Sequence, residues 1–478
     1  MSMESNQIDV IIQRYASEDM ATIFSRQRRV ELWRELWIAL AEGEKKLGLP
    51  ISKGQIDELK KFKSKINWKV AEKFEGELRH DVMAHVKAYG KQCPKAAGII
   101  HLGSTSAYVT DNADLIMMKQ GLELLEKKLV AVIDKLATFA EKEKETATVA
   151  FTHFQPAQPT TVGKRACLWA QNFVLDFERL IFELEHMRFH GVKGATGTQD
   201  SFLKLFDGDA DKALALDDFV MEKMGFKQGF WVTGQTYPRK ADTQVVTLLA
   251  NICESAAKFA NDMRLLQALH EIEEPMKSSQ IGSSAMPYKQ NPMRSERICS
   301  LARYVINLVG NCYDTAATQW FERTLDDSAN RRVVLPQAFL ICDAVLDLVL
   351  NITSGMKVNK GVIDNNLNQE LPFLQTEEIL MAAVKEGGDR QELHEVIRVH
   401  SKDAVKNVRE KGESNDLLAR LRDDPAFAKV PPKLLVRTDP IRLVGLSPQQ
   451  VDMFIKKQVA PLRKKYKSSL NMKAKIRV

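Results

Sequence analysis

The sequence predicts an all-α fold built around a central bundle of long helices, and three observations predict it. Apolar residues at Leu115, Met118, Leu122, Leu125, Leu129, Val132, Leu136 and Phe139 recur three and four residues apart without a break. That is a heptad seam, and it needs one helix of roughly thirty residues. Glycine and proline are sparse, 24 and 16 in 478 residues, so little interrupts the helices. Strand-like stretches are short throughout.

The seam helix is expected over about 112–145. Similar helical periodicity follows over about 161–190, 240–270, 294–319 and 335–353. Five such helices in one region form an elongated bundle. VVTLLANICESAAKFA is apolar on more than one face. A helix of that kind needs neighbours on several sides, which points to packing between copies of the chain, a homo-oligomer. The N-terminal stretch is helical but broken at Gly48-Leu49-Pro50 and Cys93-Pro94. Beyond Val358 come two amphipathic helices split by Gly387-Gly388, then shorter ones. Three domains are expected, over 1–105, 106–358 and 359–478.

Composition narrows the function. The net charge is +7 with 44% hydrophobic residues, ordinary for a globular chain. The basic excess shows in the tail KKYKSSLNMKAKIRV, read as a solvated end. No nucleic-acid motif accompanies the charge, so nucleic acid is not the expected partner. Cysteines at 93, 167, 253, 299, 312 and 342 form no CxxC pair and no metal spacing with histidine. The reading is reduced thiols in a cytoplasmic protein with no metal site. No secretory signal and no run of 18 apolar residues is found, so no membrane span is expected.

The chemistry is expected in loops. IGSSAMPYKQNPMRSE carries Gly282, Ser283, Ser284, Lys289, Asn291, Arg294, Glu296 and Arg297. Pro287 and Pro292 bar a regular helix there, and glycine lets consecutive amides aim at one point, an anion nest beside a lysine. A surface loop of incidental polarity is the competing reading. LRHD sets Arg79, His80 and Asp81 side by side, whereas His85 reads as a helix-face residue. IIHLGSTSAYVTDNA puts Thr105 and Ser106 where the seam helix opens, as phosphate cradle or as simple caps. FTHFQPAQPTTVG holds His153 in a loop stiffened by Pro156 and Pro159, a candidate acid or base or a structural histidine. FERTLDDSANRR crowds Arg323, Ser328, Arg331 and Arg332 together, for phosphate or for salt bridges with Asp326 and Asp327.

These stretches together resemble the fumarase/aspartase superfamily. GSSAMPYKQNP fits its signature GSSxMPxKxNP at each fixed position. QRYAS, LRHD, LGSTSAYVTDNAD, TFAEKEKETATVAFTHFQPAQPTTVGKRA and TGQTYPRK are most similar to the branch that cleaves adenylosuccinate, over essentially the whole chain. The resemblance implies a three-domain helical subunit in a homotetramer whose active sites are shared between subunits. It implies elimination of fumarate from adenylosuccinate, giving AMP, and from succinylaminoimidazole-carboxamide ribotide, in purine nucleotide biosynthesis. By carry-over His153 is the acid, Glu296 its support, Ser283 the base with His80 as fallback, and Lys289 and Asn291 meet the aci-carboxylate. Arg14, Tyr15, Arg323, Ser328 and Arg332 contact nucleotide and phosphate. His80 and Asp81 orient it, Arg79 is a further substrate-binding residue, and Thr105, Ser106, Gln235 and Arg297 meet the succinyl part or the amide. No cofactor is implied. The alternatives are another fumarate-releasing lyase, such as argininosuccinate lyase or fumarase, or a silent structural protein on the same fold.

Overall fold

The computed structural model describes residues 10–276, 285–474 and 476. The helices that matter for the site are α1 (Arg26–Lys46), α2 (Asp81–Gln92), α3 (Ser106–Lys142), α4 (Val162–His186), α5 (Lys240–Ala268), α6 (Met293–Ala317) and α7 (Asp326–Thr353). Among the described residues the fold is all-α apart from two two-stranded sheets: β1 (Ala147–Thr152) with β2 (Gln155–Thr161), and β3 (Ile272–Glu273) with β4 (Lys357–Val358).

Every residue of the heptad seam is buried, from Leu115 at 1% exposure to Phe139 at 8%. Each buried leucine contributes about 1.5–3 kcal/mol relative to exposure, so the seam alone commits α3 to the centre. Helix α3 packs on α1, α4 and α7, and α5 packs on α4, α6 and α7. Gly121 permits a close approach: a Cβ there would lie 2.6 Å from the Phe339 ring of α7. The start of α3 depends on Gly103, whose φ is +67° and whose missing Cβ leaves room for Phe202 and Leu205.

Two details depart from the sequence reading. Helix α7 begins at Asp326, not near Leu335, and runs through Pro336. Proline cannot donate to the carbonyl four residues back, but the surrounding burial holds the helix together across it. An 18-residue window of α7 has mean hydropathy 2.1, long and apolar enough by length and composition to cross a membrane, and 83% of that window is buried inside the fold. Within it, Asp343 and Asp347 pair with Lys128 of α3 at 2.5 and 2.8 Å, all three side chains at most 4% exposed. Burial disfavours the Lys128 ammonium, yet the two aspartates outweigh it and raise its pKa.

A second, smaller core gathers Ile379, Leu393, Ile397, Leu417, Leu421 and Phe427. The chain then returns: Val451, Ile455 and Val459 join the main core. The basic tail is not simply solvated as expected. Tyr466 stands edge-on to Phe177, centroids 5.7 Å apart, and donates to Glu126 at 2.5 Å, while Leu470 and Met472 pack on the main core. Apolar residues interleaved with the lysines are what hold it. All six cysteines are free.

Candidate active site

A cleft of about 980 Å³ opens where the N-terminal helices meet α3 and the start of α7. Arg79, His80, Asp81, Ser106, Arg323, Ser328 and Arg332 all line it, so three separate stretches of sequence converge there. Arg79 ends one helix in the left-handed region (φ 52°), and His80 caps the next, its Nδ1 accepting from the Met83 N–H at 3.4 Å. This tight joint turns Arg79, His80 and Asp81 toward the opening. Arg332 of α7 donates to Asp81 Oδ2 at 2.7 Å, and the Val82 N–H donates to Oδ1 at 2.8 Å. Burial alone would raise the Asp81 carboxyl. The Arg332 hydrogen bond and charge, with smaller help from Val82 and His80, hold it below its ordinary value.

The floor is a buried charge network. Arg239 donates Nε to Asp327 Oδ2 at 2.7 Å and its two Nη atoms to Asp111 at 2.9 and 3.3 Å. Arg331 donates Nε to Asp242 Oδ2 at 2.6 Å and pairs with Asp114 at 3.1 Å. Tyr237 donates to Asp242 at 2.5 Å. Burial opposes ionisation of Asp111, but Arg239 and Arg331 bring it down to about 2. His190, buried among Asp111, Arg239 and Lys193, is held near 4, first by burial. The sequence reading did not single out Asp111, Asp114, Arg239 or Asp242. The available signal was two acids three apart on a helix that is otherwise core, in TDNAD. The competing readings of FERTLDDSANRR are both realised: Arg331 and Arg323 make salt bridges, with Asp242 and Asp327, while Arg323, Ser328 and Arg332 face the cleft.

Other expected residues lie elsewhere in the chain. His85 packs edge-on between Trp33 and Trp68 and is held near 4, chiefly by burial. Thr105 is the N-cap of α3 but makes no side-chain cap bond and does not line the cleft. Gln235 donates its side chain to the Ala195 carbonyl and its N–H to the Glu322 carbonyl, both at 2.9 Å. Arg14 ends the helix Val10–Arg14, and the Arg297 guanidinium lies 5.9 Å from the Tyr15 ring.

His153 does not sit in a loop. It occupies the two-residue turn of the β1–β2 hairpin, with φ 53° at His153 and 56° at Phe154. Two consecutive left-handed residues make the tight turn that matches strand twist. Pro156 and Pro159 are tolerated because a two-stranded ribbon is all edge. The root of the hairpin rests on Glu271, 1% exposed, which accepts from Thr148 Oγ1 at 3.2 Å and from Asn366 at 3.1 Å and lies 3.7 Å from Arg165.

Three residues later, Glu274 accepts from the Arg294 N–H at 3.1 Å and the Ser295 N–H at 2.6 Å, the first turn of α6. The N-cap Pro292 offers no side chain for this. Gln267 accepts from the Glu274 N–H at 3.1 Å and donates to the Gln290 carbonyl at 2.9 Å. The signature segment is thereby closed at its base. Lys289 and Glu296 are exposed and Asn291 is half-buried, all three outside the cleft lining. Ser283, with Gly282 and Ser284, lies outside the described residues.

Comparison with known proteins identifies the family. Residues 30–307 match the Lyase family model, and residues 372–454 match the adenylosuccinate lyase C-terminus. The chain is 47% identical over 470 residues to the adenylosuccinate lyase of Schistosoma mansoni, covering 98% of each. It is 48% identical over 461 residues to that of Saccharomyces cerevisiae, covering 96% of each. Among solved structures, a fumarate lyase from Mesorhizobium sp. superposes with a TM-score of 0.81 at 22% identity, covering 93% of this chain and 99% of that one. A 3-carboxy-cis,cis-muconate lactonizing enzyme from Pseudomonas putida gives 0.80 at 20%, covering 95% and 99%. At those identities the structures speak for the fold, and the closer relatives speak for the family. The chain belongs to the adenylosuccinate lyase family, within the fumarase/aspartase superfamily.

Proposed function

We infer that the protein eliminates fumarate from adenylosuccinate, leaving AMP, and performs the same cleavage on succinylaminoimidazole-carboxamide ribotide. The observation that carries this is the cleft in which Arg79, Arg323 and Arg332 converge with Ser106 and Ser328, in a chain of this family. Arginine forks suit a ribose 5'-phosphate, and hydroxyls beside the start of α7 add neutral donors.

Elimination removes a proton from the carbon next to a carboxylate and expels an amine nitrogen. The carbanion survives only if its charge spreads onto that carboxylate and meets fixed donors. Lys289 and Asn291 are donors of the right kind. His153 protonates the leaving nitrogen, with Glu296 supporting the imidazolium. Ser283 takes the proton, an assignment that rests on its place in GSSAMPYKQNP, and His80 is the alternative base.

The working unit is a homotetramer with shared sites. Two observations support this reading. His153, Lys289, Asn291 and Glu296 do not line the cleft of their own chain. Leu168, Leu175 and Phe182, at heptad spacing on α4, are 54, 56 and 47% exposed, an outward seam suited to a second helix. The test is to incubate the protein with adenylosuccinate, following the ultraviolet change and measuring fumarate separately. Equal release of AMP and fumarate is expected. A folded protein that releases neither refutes the reading and directs the search to other succinyl substrates.

A further inference from the structure

We propose that Asp327 is a positioning residue that fixes Arg323 for the phosphate of the nucleotide. This rests on the function proposed above.

Asp327 is 1% exposed. Its Oδ2 accepts from Arg239 Nε at 2.7 Å and from Arg323 Nη1 at 3.0 Å. Arg239 is in turn held by both oxygens of Asp111. The chain Asp111–Arg239–Asp327–Arg323 runs outward from the core, and the side-chain exposures along it are 3, 2, 0 and 25%. Its inner members are immobilised by packing. Its outer member reaches the cleft wall. Among the described residues, Asp327 is the ion-pair partner of Arg323. One donor of the guanidinium is thus tied to a rigid anchor, and the remaining donors are left for a ligand. An arginine without that anchor would sample many rotamers and lose freedom on binding.

Charge alone argues for the opposite effect. Removing the Asp327 carboxylate makes the cleft more positive, which would tighten an anion. Orientation and electrostatics therefore predict opposite signs, and a measurement can separate them. Both arginines bond the same oxygen, so Asp327→Asn leaves one neutral amide oxygen between them. Arg239 stays tied to Asp111, and the outer, 25% exposed Arg323 loses its charge-assisted anchor and is released.

The experiment measures inhibition of adenylosuccinate cleavage by AMP and by fumarate, for wild type, D327N, R323Q and the double variant. D327N is expected to weaken AMP about tenfold, the loss of roughly one charge-assisted contact, and to leave fumarate within about twofold. The double variant is expected to match R323Q, because Asp327 acts through Arg323. Unchanged or tighter AMP in D327N, or additive losses in the double variant, overturns the proposal. If D327N does not fold, R323K decides. Lysine keeps the charge but not the fork, so AMP binding should fall as in R323Q, and retention of AMP binding refutes positioning. A wild-type protein that neither cleaves adenylosuccinate nor binds AMP refutes the functional reading instead.

Discussion

The carboxylate of Glu274 lies 2.6 Å from the backbone N–H of Ser295, capping a helix from a position outside it. That bond joins the two ends of the signature segment, since Arg294 N–H meets the other oxygen. Glu274→Ala should cost about 1–2 kcal/mol, as for loss of a helix cap. It should also lower kcat more than it weakens AMP, because the segment serves the eliminating end of the substrate. Thermal unfolding and AMP inhibition measured on one variant would check both. Equal loss at both ends would mean that the cap only stabilises.

Asp81 and Arg332 clamp the N-terminal joint to α7 across the mouth of the cleft. Their side chains are 28 and 58% exposed, so the pair contributes no more than about 1 kcal/mol to stability. Asp81→Asn should therefore leave the melting temperature nearly unchanged while raising KM for adenylosuccinate by roughly tenfold. The Asp81 carboxyl is depressed. Its contribution to stability is thus present above the ordinary carboxylate value and lost as pH falls through the lower folded value. Melting temperatures of wild type and D81N should converge on acidification.

Glu44 is fully buried, and neither of its oxygens has a hydrogen-bond partner among the described residues. Burial raises its pKa from 4.5 to about 8. The folded value is the higher one, so its stability contribution is full below 4.5 and is lost as pH rises through about 8. Glu44→Gln should gain on wild type across that interval and hold a constant difference above it. A melting series from pH 4 to about 9 reads this directly, and a flat difference would show that the site is solvated.

His153 combines an exposed side chain with a left-handed backbone. His153→Gly should stabilise the hairpin by about 1 kcal/mol by removing the Cβ penalty. Loss of a general acid should lower kcat by about 10²–10⁴. His153→Gln should show the same loss of activity without the gain in stability. An active glycine variant would refute the assignment of His153 as the acid.

The bundle was legible because burial acts on every turn of α3, and eight seam positions repeat the same instruction. The arginines and serines of the cleft were legible as clusters of the right type. The hairpin was not. Pro156 and Pro159 signal a loop in most settings, and only pairing with β1 makes them strand residues. The floor network was missed for a related reason: Asp111 and Arg239 acquire meaning from each other across 128 positions of sequence, a separation that no local pattern encodes. The tail was misread because charge outweighed the spacing of Tyr466, Leu470 and Met472.

The buried triad of Lys128, Asp343 and Asp347 also bears on how the chain is sorted during synthesis. Helix α7 has the length and apolarity of a membrane anchor. Two aspartates one turn apart in its C-terminal half each add up to about 3 kcal/mol to the cost of insertion into a bilayer. Their lysine partner lies far upstream on α3, already synthesised and waiting. Each charge raises the cost of placing this helix in lipid, and each meets its counter-charge inside the bundle.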